Sequence, residues 1–196
     1  MRIIAGIYRG RLLATLPGPA VRPTGERLRE SLFNVLGDSV RDEVFIDCYA
    51  GSGSVGLEAL SRGAGRVYLI EETAAAQQII TQNFDSLGLP LHAILVRAPA
   101  RRGLRQIEEE GVRARYCFLD PPYDSSKERE RTLRWLASSQ LMEPDGSIIV
   151  QHDKKDSPPE SLGASGAASG TWIRTRILAQ GSNALCFYYR TGSVAI

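Results

Sequence analysis

The stretch "DCYAGSGSVG", residues 47–56, decides how this chain of 196 residues is read. It carries G-x-G-x-x-G at Gly51, Gly53 and Gly56. The apolar run "VFI" (44–46) precedes it, and Val55, Leu57, Ala59 and Leu60 follow before a stop at Gly63. Strand, glycine turn and helix in that order open a nucleotide-binding α/β sheet. The glycines let backbone come close to a ligand without naming it. A nicotinamide or flavin dinucleotide and an adenosyl cofactor both remain open on this turn alone.

Outward from the turn, strand and helix signals alternate. "RVYLIE" (66–71), "HAILVR" (92–97), "YCFLD" (116–120) and "GSIIVQH" (146–152) read as strands, with helices over 73–87, 100–110 and 126–139 between them. With 44–48 this predicts five parallel strands. The Ser/Gly/Ala/Pro-rich stretch 156–170 reads as a mobile loop. "TWIRTRIL" (171–178) and "ALCFYYR" (184–190), joined by "AQGSN", read as an antiparallel hairpin. The expected class is α/β, a seven-stranded, mostly parallel sheet ending in an antiparallel hairpin. Ahead of it, β-branched and aromatic residues around Gly6 and Gly10 predict a small hairpin. Thr24 is placed as the N-cap of a helix over 25–37 that buries Leu28, Leu32, Val35 and Leu36.

Composition narrows the setting. At 43% hydrophobic residues the chain can fill one core, yet its apolar runs fall far short of the ~18–20 residues of a membrane span. The N-terminus shows no apolar segment with a cleavage site, so no export signal is expected. The cysteines, Cys48, Cys117 and Cys186, sit in strand-like settings away from His92 and His152 in sequence. Buried free thiols in a reducing cytoplasm, with no metal site, are the expectation. Residues 1–34 hold six arginines against two acids, a balance of +4 that leaves −2 for the remainder. Arginine-rich segments suit phosphate contact and base stacking; a solvated basic face fits the charge equally well.

Glu71, ending the second strand 20 residues after Gly51, can accept hydrogen bonds from ribose hydroxyls, which either cofactor class requires. Asp47 discriminates. A pyrophosphate beside its carboxylate would be disfavoured by ~1–4 kcal/mol, whereas S-adenosylmethionine brings an ammonium and a sulfonium. A helix-start cap is the structural alternative for Asp47. The second discriminator is "DPPY", Asp120, Pro121, Pro122 and Tyr123, at the end of the fourth strand. The prolines fix two φ angles and remove two donors. The Asp120 carboxylate and Pro121 carbonyl can then hold one exocyclic amino group, with Tyr123 as a stacking face for the base.

These motifs together resemble the bacterial 16S rRNA guanine-N2 methyltransferases of the RsmD type. "MRIIAGIYRGR", "RPTGERLRESLFNVLG", "DCYAGSGSVGLEALSRGA", "LIE" and "LDPPY" occur in that family's order and spacing across most of the chain. The resemblance implies a Rossmann-like class I S-adenosylmethionine-dependent fold over 23–196, with residues 1–22 as an RNA-binding β-hairpin extension. It implies methyl transfer to the N2 amino group of one guanine of 16S rRNA in the 30S particle, by a monomer without membrane or metal. Asp120, Pro121, Pro122 and Tyr123 would be catalytic. Arg22, Thr24, Asp47, Ala50, Gly51, Ser52, Gly53 and Glu71 would line the cofactor. Arg2, Tyr8, Arg9 and Arg11 would grip rRNA phosphates, and Arg27, Arg29 and Asn34 would fix their helix or face RNA.

Two departures stand out. The family's acid after the third strand, near the adenine amino group, is absent from "VRAPARRGL", where Arg97 is read at that place. Tyr49 stands where Phe is more usual. The rival readings are a DNA adenine-N6 methyltransferase, which shares D-P-P-Y, and a catalytically impaired RNA-binding ribosome assembly factor. Against the first, no separate target-recognition domain of the usual size is visible.

Overall fold

The computed structural model describes residues 1–16, 25–88, 91–122, 126–163 and 170–192. Helix α1 (Glu26–Leu36) leads into strand β1 (Val44–Cys48), the glycine turn and helix α2 (Ser54–Ser61). β2 (Arg66–Glu71), α3 (Ala74–Leu87), β3 (Ala93–Arg97), α4 (Ala100–Glu109), β4 (Ala114–Leu119), α5 (Ser126–Ser138) and β5 (Met142–Asp153) continue the alternation. The chain then adds β6 (Ser161–Leu162), β7 (Trp172–Gln180) and β8 (Asn183–Arg190). One sheet runs β3-β2-β1-β4-β5-β8-β7-β6. β1 to β5 pair in parallel, and β8, β7 and β6 are added antiparallel.

The inner strands β1, β2 and β4 bury both faces, so their residues alternate between two apolar layers. Phe45 enters the layer of Leu32, Phe33, Leu57 and Ile80, under α1, α2 and α3. Ile46, the next residue, enters that of Leu104, Ile107, Leu133 and Leu136, under α4 and α5. Because β2 and β4 flank β1 on opposite sides, the crevice between the carboxyl ends of β1 and β4 is the topological switch point.

Among the described residues the sheet has eight strands rather than seven. The extra strand, Ser161–Leu162, falls in the stretch expected to be a loop; Leu162 is buried and pairs with Trp172. Residues 164–169 of that stretch lie outside the described residues. Helix α1 begins one residue after the expected point, with Gly25 at the cap position and no side-chain cap; Thr24 lies outside the described residues. Its buried face holds Leu28, Leu32 and Leu36 as expected, plus Arg29 and Phe33, while Val35 is half-buried.

The N-terminal segment closes a short antiparallel ladder. Ile3 donates to the Arg11 carbonyl at 3.0 Å, and Leu13 to the Met1 carbonyl at 2.9 Å. It is anchored on α2: the Glu58 carboxylate accepts the amides of Ile4 (2.8 Å) and Ala5 (3.0 Å). Gly6 has φ +84°, and a Cβ there would lie 1.8 Å from the Ser61 carbonyl oxygen. Only glycine lets the segment lie this close to α2.

Candidate active site

The three glycines of the turn have three separate duties. Gly51, at φ +56°, takes the left-handed conformation at an open position where a Cβ would meet nothing within 4 Å. Gly53, at φ +78°, heads α2 and packs so tightly that a Cβ would fall 2.7 Å from Leu69 Cδ2. Gly56 brings α2 onto the sheet; a Cβ would lie 2.9 Å from Val67 Cγ1 and 3.2 Å from Asp47 Cβ. Tyr49 is also left-handed, at φ +68°, and its hydroxyl, the departure noted above, lies 3.0 Å from Thr132 Oγ1.

Two carboxyl groups clasp this turn. Asp47 Oδ2 accepts the Gly56 amide at 2.8 Å. Glu71 Oε2 accepts the Gly51 amide at 2.9 Å, while its Oε1 accepts both the amide and the hydroxyl of Thr73 at 2.8 Å. Asp47 therefore holds the helix start and still borders the cavity, so the cap and ligand readings coexist. Its charge needs correction. Burial pushes the Asp47 carboxyl from 3.8 up to about 8, against the opposing pull of the Gly56 amide, with Asp120 and Glu71 adding to the rise. In the folded chain burial favours the neutral carboxyl, so repulsion by Asp47 alone is not the discriminator the sequence suggested.

The whole lining discriminates instead. A cavity of about 320 Å³ opens at the switch point. Asp47, Glu71, Glu72 and Asp120 border it, together with Tyr49, Ala50, Gly51, Ser52 and the apolar Val55, Ile70 and Phe118. No lysine or arginine does so among the described residues. A pyrophosphate would meet Glu71, Glu72 and Asp120 with no lysine or arginine among the described residues to offset them, whereas a ligand carrying an ammonium and a sulfonium would meet the right sign and favour ionised Asp47 as well. Asp120, Pro121 and Pro122 form one edge of this cavity. Tyr123 lies outside the described residues, as do Arg22 and Thr24.

A family model described as "Conserved hypothetical protein 95" matches residues 1–188. The chain belongs to this family. It is 36% identical over 159 residues to ribosomal RNA small subunit methyltransferase D of Escherichia coli K12, covering 81% of this chain and 78% of that one. The solved structure of a hypothetical protein from Thermus thermophilus superposes with a TM-score of 0.79 at 30% identity, over 96% of this chain and 99% of that chain. The same fold recurs at 13% identity and a TM-score of 0.62 in an RNA methyltransferase from Salinibacter ruber, over 88% and 96% of the two chains.

Within this family member, the residues expected at RNA separate into two groups. Arg2, Arg9, Arg11, Arg27 and Asn34 are exposed and Tyr8 is half-buried. Arg29 is fully buried: it donates to the Arg2 carbonyl at 2.6 Å, and its Nε lies 3.6 Å from Glu58. It cannot reach a phosphate. Its work is to bind α1, α2 and the N-terminal segment together. Arg97 is likewise displaced from its expected place. Strand alternation turns it to the outer side of α3, within 3.4 Å of Thr81 Oγ1, and the cavity wall there is Ala98 and Ala100. The wall is apolar rather than basic.

Sequence reasoning missed Asn83. It is buried in α3, accepts the Ala14 amide (2.8 Å) and donates to the carbonyls of Ala14 (3.1 Å) and Ser52 (3.0 Å). One amide thus couples the N-terminal segment to the glycine turn. A polar residue between Gln82 and Phe84 gave no sequence signal of this. The free cysteines are buried, as expected, and His152 Nε2 comes within 3.1 Å of Cys186 Sγ. Among the described residues, no group of three or more His, Cys, Asp or Glu could hold a metal ion. No helix among them is long and apolar enough to cross a membrane.

Proposed function

We propose that this chain transfers the methyl group of S-adenosylmethionine to the exocyclic N2 amino group of one guanine of 16S rRNA in the 30S particle. The observation that carries this reading is the acidic lining of the switch-point cavity, without lysine or arginine among the described residues, with Asp120-Pro121-Pro122 on its edge. Kinship with a ribosomal RNA small subunit methyltransferase supports the substrate class.

The donor set fits the cofactor. Glu71 offers carboxylate oxygens for ribose hydroxyls, the turn at Ala50, Gly51 and Ser52 offers close backbone while Gly53 packs behind it against Leu69, and Ile70, Ala98 and Ala100 give an apolar wall suited to adenine. Arg22 and Thr24 are assigned to the methionine end. When bound, S-adenosylmethionine supplies an electrophilic methyl on a sulfonium. The chain's contribution is position and charge. Asp120 and the Pro121 carbonyl accept the two N–H bonds of the amino group, which turns the nitrogen lone pair out of conjugation and toward the methyl. Asp120 then takes the proton that the methylated nitrogen sheds. The exposed Arg2, Arg9, Arg11, Arg27 and Asn34, with Tyr8, grip rRNA through an extension over 1–22, and 23–196 is the catalytic unit. The protein works in the cytoplasm as a monomer.

Tritiated methyl transfer to 30S particles, 16S rRNA and DNA in parallel, followed by nucleoside analysis, tests the reading. N2-methylguanosine from the particle is the expected product. Label in DNA as N6-methyladenine, or no label with cofactor unbound, would replace this reading with one of the two rivals.

A further inference from the structure

A second cavity, of about 190 Å³, adjoins the first and shares Asp120, Pro121 and Pro122 with it. Its far wall is Arg129, Gln151 and Asp156. One side of the wall is a two-bond ion pair, in which both terminal nitrogens of Arg129 donate to the Asp156 carboxylate, at 2.9 and 3.0 Å. Gln151 follows Val150, which pairs with Leu119, so the parallel register sets Gln151 one rung on, beside Asp120. The Gln151 side chain is only 4% exposed, and its Oε1 has no hydrogen-bond partner among the described residues. A buried amide oxygen without a partner is unfavourable, and a ligand that donates to it supplies the reason for its being there.

We propose that this second cavity receives the Watson–Crick edge of the target guanine and that Gln151 is its specificity-determining residue. The inference rests on the guanine-N2 reading above. Along that edge guanine presents the N2 amino group, then the N1–H donor, then the O6 acceptor. With the amino group at Asp120 and Pro121, the Gln151 amide accepts N1–H through Oε1 and donates to O6 through Nε2. Adenine carries no amino group at C2, so with its Watson–Crick edge seated in this way nothing reaches Asp120, and the amide orientation that serves N1–H and O6 does not suit its N1 acceptor and N6 donor. Gln151 and Asp120 together distinguish the two purines at this place, since guanine satisfies both side chains and adenine leaves Asp120 without its amino group. The Arg129–Asp156 pair holds the wall against which the base seats.

The test compares wild type, Gln151→Leu and the near-isosteric Gln151→Glu on 30S particles from cells lacking this methyltransferase. The readouts are kcat/KM for methyl transfer, the Kd for S-adenosylmethionine, and the identity of the methylated nucleoside. Both variants are expected to lose roughly 10- to 100-fold in kcat/KM, with cofactor Kd within two-fold of wild type. A merely structural Gln151 would instead move cofactor affinity and thermal midpoint along with rate. If wild type makes no N2-methylguanosine, the functional reading itself fails. If wild type makes it and Gln151→Glu retains wild-type kcat/KM, the specificity assignment is overturned. Gln151→Glu decides the matter should Gln151→Leu fold poorly.

Discussion

Asp47 Oδ2 accepts the Gly56 amide at 2.8 Å in a site where burial raises the carboxyl pKa to about 8. A cation arriving in the cavity favours the ionised form. Binding of S-adenosylmethionine at pH 7 should therefore release protons to buffer, and the release should vanish above about pH 9. Calorimetry in two buffers of different ionisation enthalpy measures it. Asp47→Asn should abolish most of the release.

The same carboxyl has a consequence for stability. Its folded-state pKa is raised, so between pH 4 and 8 the folded chain holds a proton that the unfolded chain has lost. Stability from this group is highest at low pH and falls as pH rises through that window. Denaturant midpoints of wild type should fall more steeply from pH 5 to 8 than those of Asp47→Asn. Parallel slopes would contradict the assignment.

Glu58 joins α2 to the N-terminal segment and to buried Arg29. Glu58→Ala leaves that guanidinium buried without its acid and should destabilise the protein by about 3–5 kcal/mol. Amide exchange at Ile4 and Ala5 should accelerate even under folding conditions. The measurements are chemical denaturation and hydrogen exchange.

Gly53→Ala sets a side chain in the left-handed region and against Leu69. A cost of about 1–3 kcal/mol in stability is expected, with weaker cofactor binding because α2 must shift. At Gly51 the left-handed backbone matters without any clash, so Gly51→Ala should perturb cofactor binding more than packing.

Arg9 and Arg11 are exposed on the N-terminal segment, whereas Arg29 is buried. Arg9→Ala should weaken RNA binding and reduce the salt slope by about 0.7–0.9, leaving the thermal midpoint unchanged, whereas Arg11→Ala should move both, because Arg11 also donates to the Ser86 carbonyl at 2.6 Å. Arg29→Ala should lower the midpoint instead. Thermal melts and RNA titrations over a salt series separate the two classes.

What could be read from the sequence was what local spacing determines. The glycine turn, the two-sided apolar strands and the helix stops at Gly63 and Gly88 are local signals, and they set the parallel sheet and its switch point. The misreadings were non-local. Nothing near Arg29 reveals that Glu58, on another helix, waits to bury it. β6 has one buried apolar residue, Leu162, and exists because β7 offers it an edge. The charge of Asp47 depends on what surrounds it after folding, and Asn83 takes its meaning from Ala14 and Ser52. Arg97 was misplaced because the alternation of β3 had to be known to the last residue.

The central claim is that Asp120 positions the amino group beside a methyl held in the acidic cavity. Single-turnover methyl transfer to unmethylated 30S particles by Asp120→Ala, at saturating S-adenosylmethionine, tests it most directly. The account predicts a rate lower by about 10²–10⁴ with cofactor still bound; transfer at the wild-type rate would contradict it.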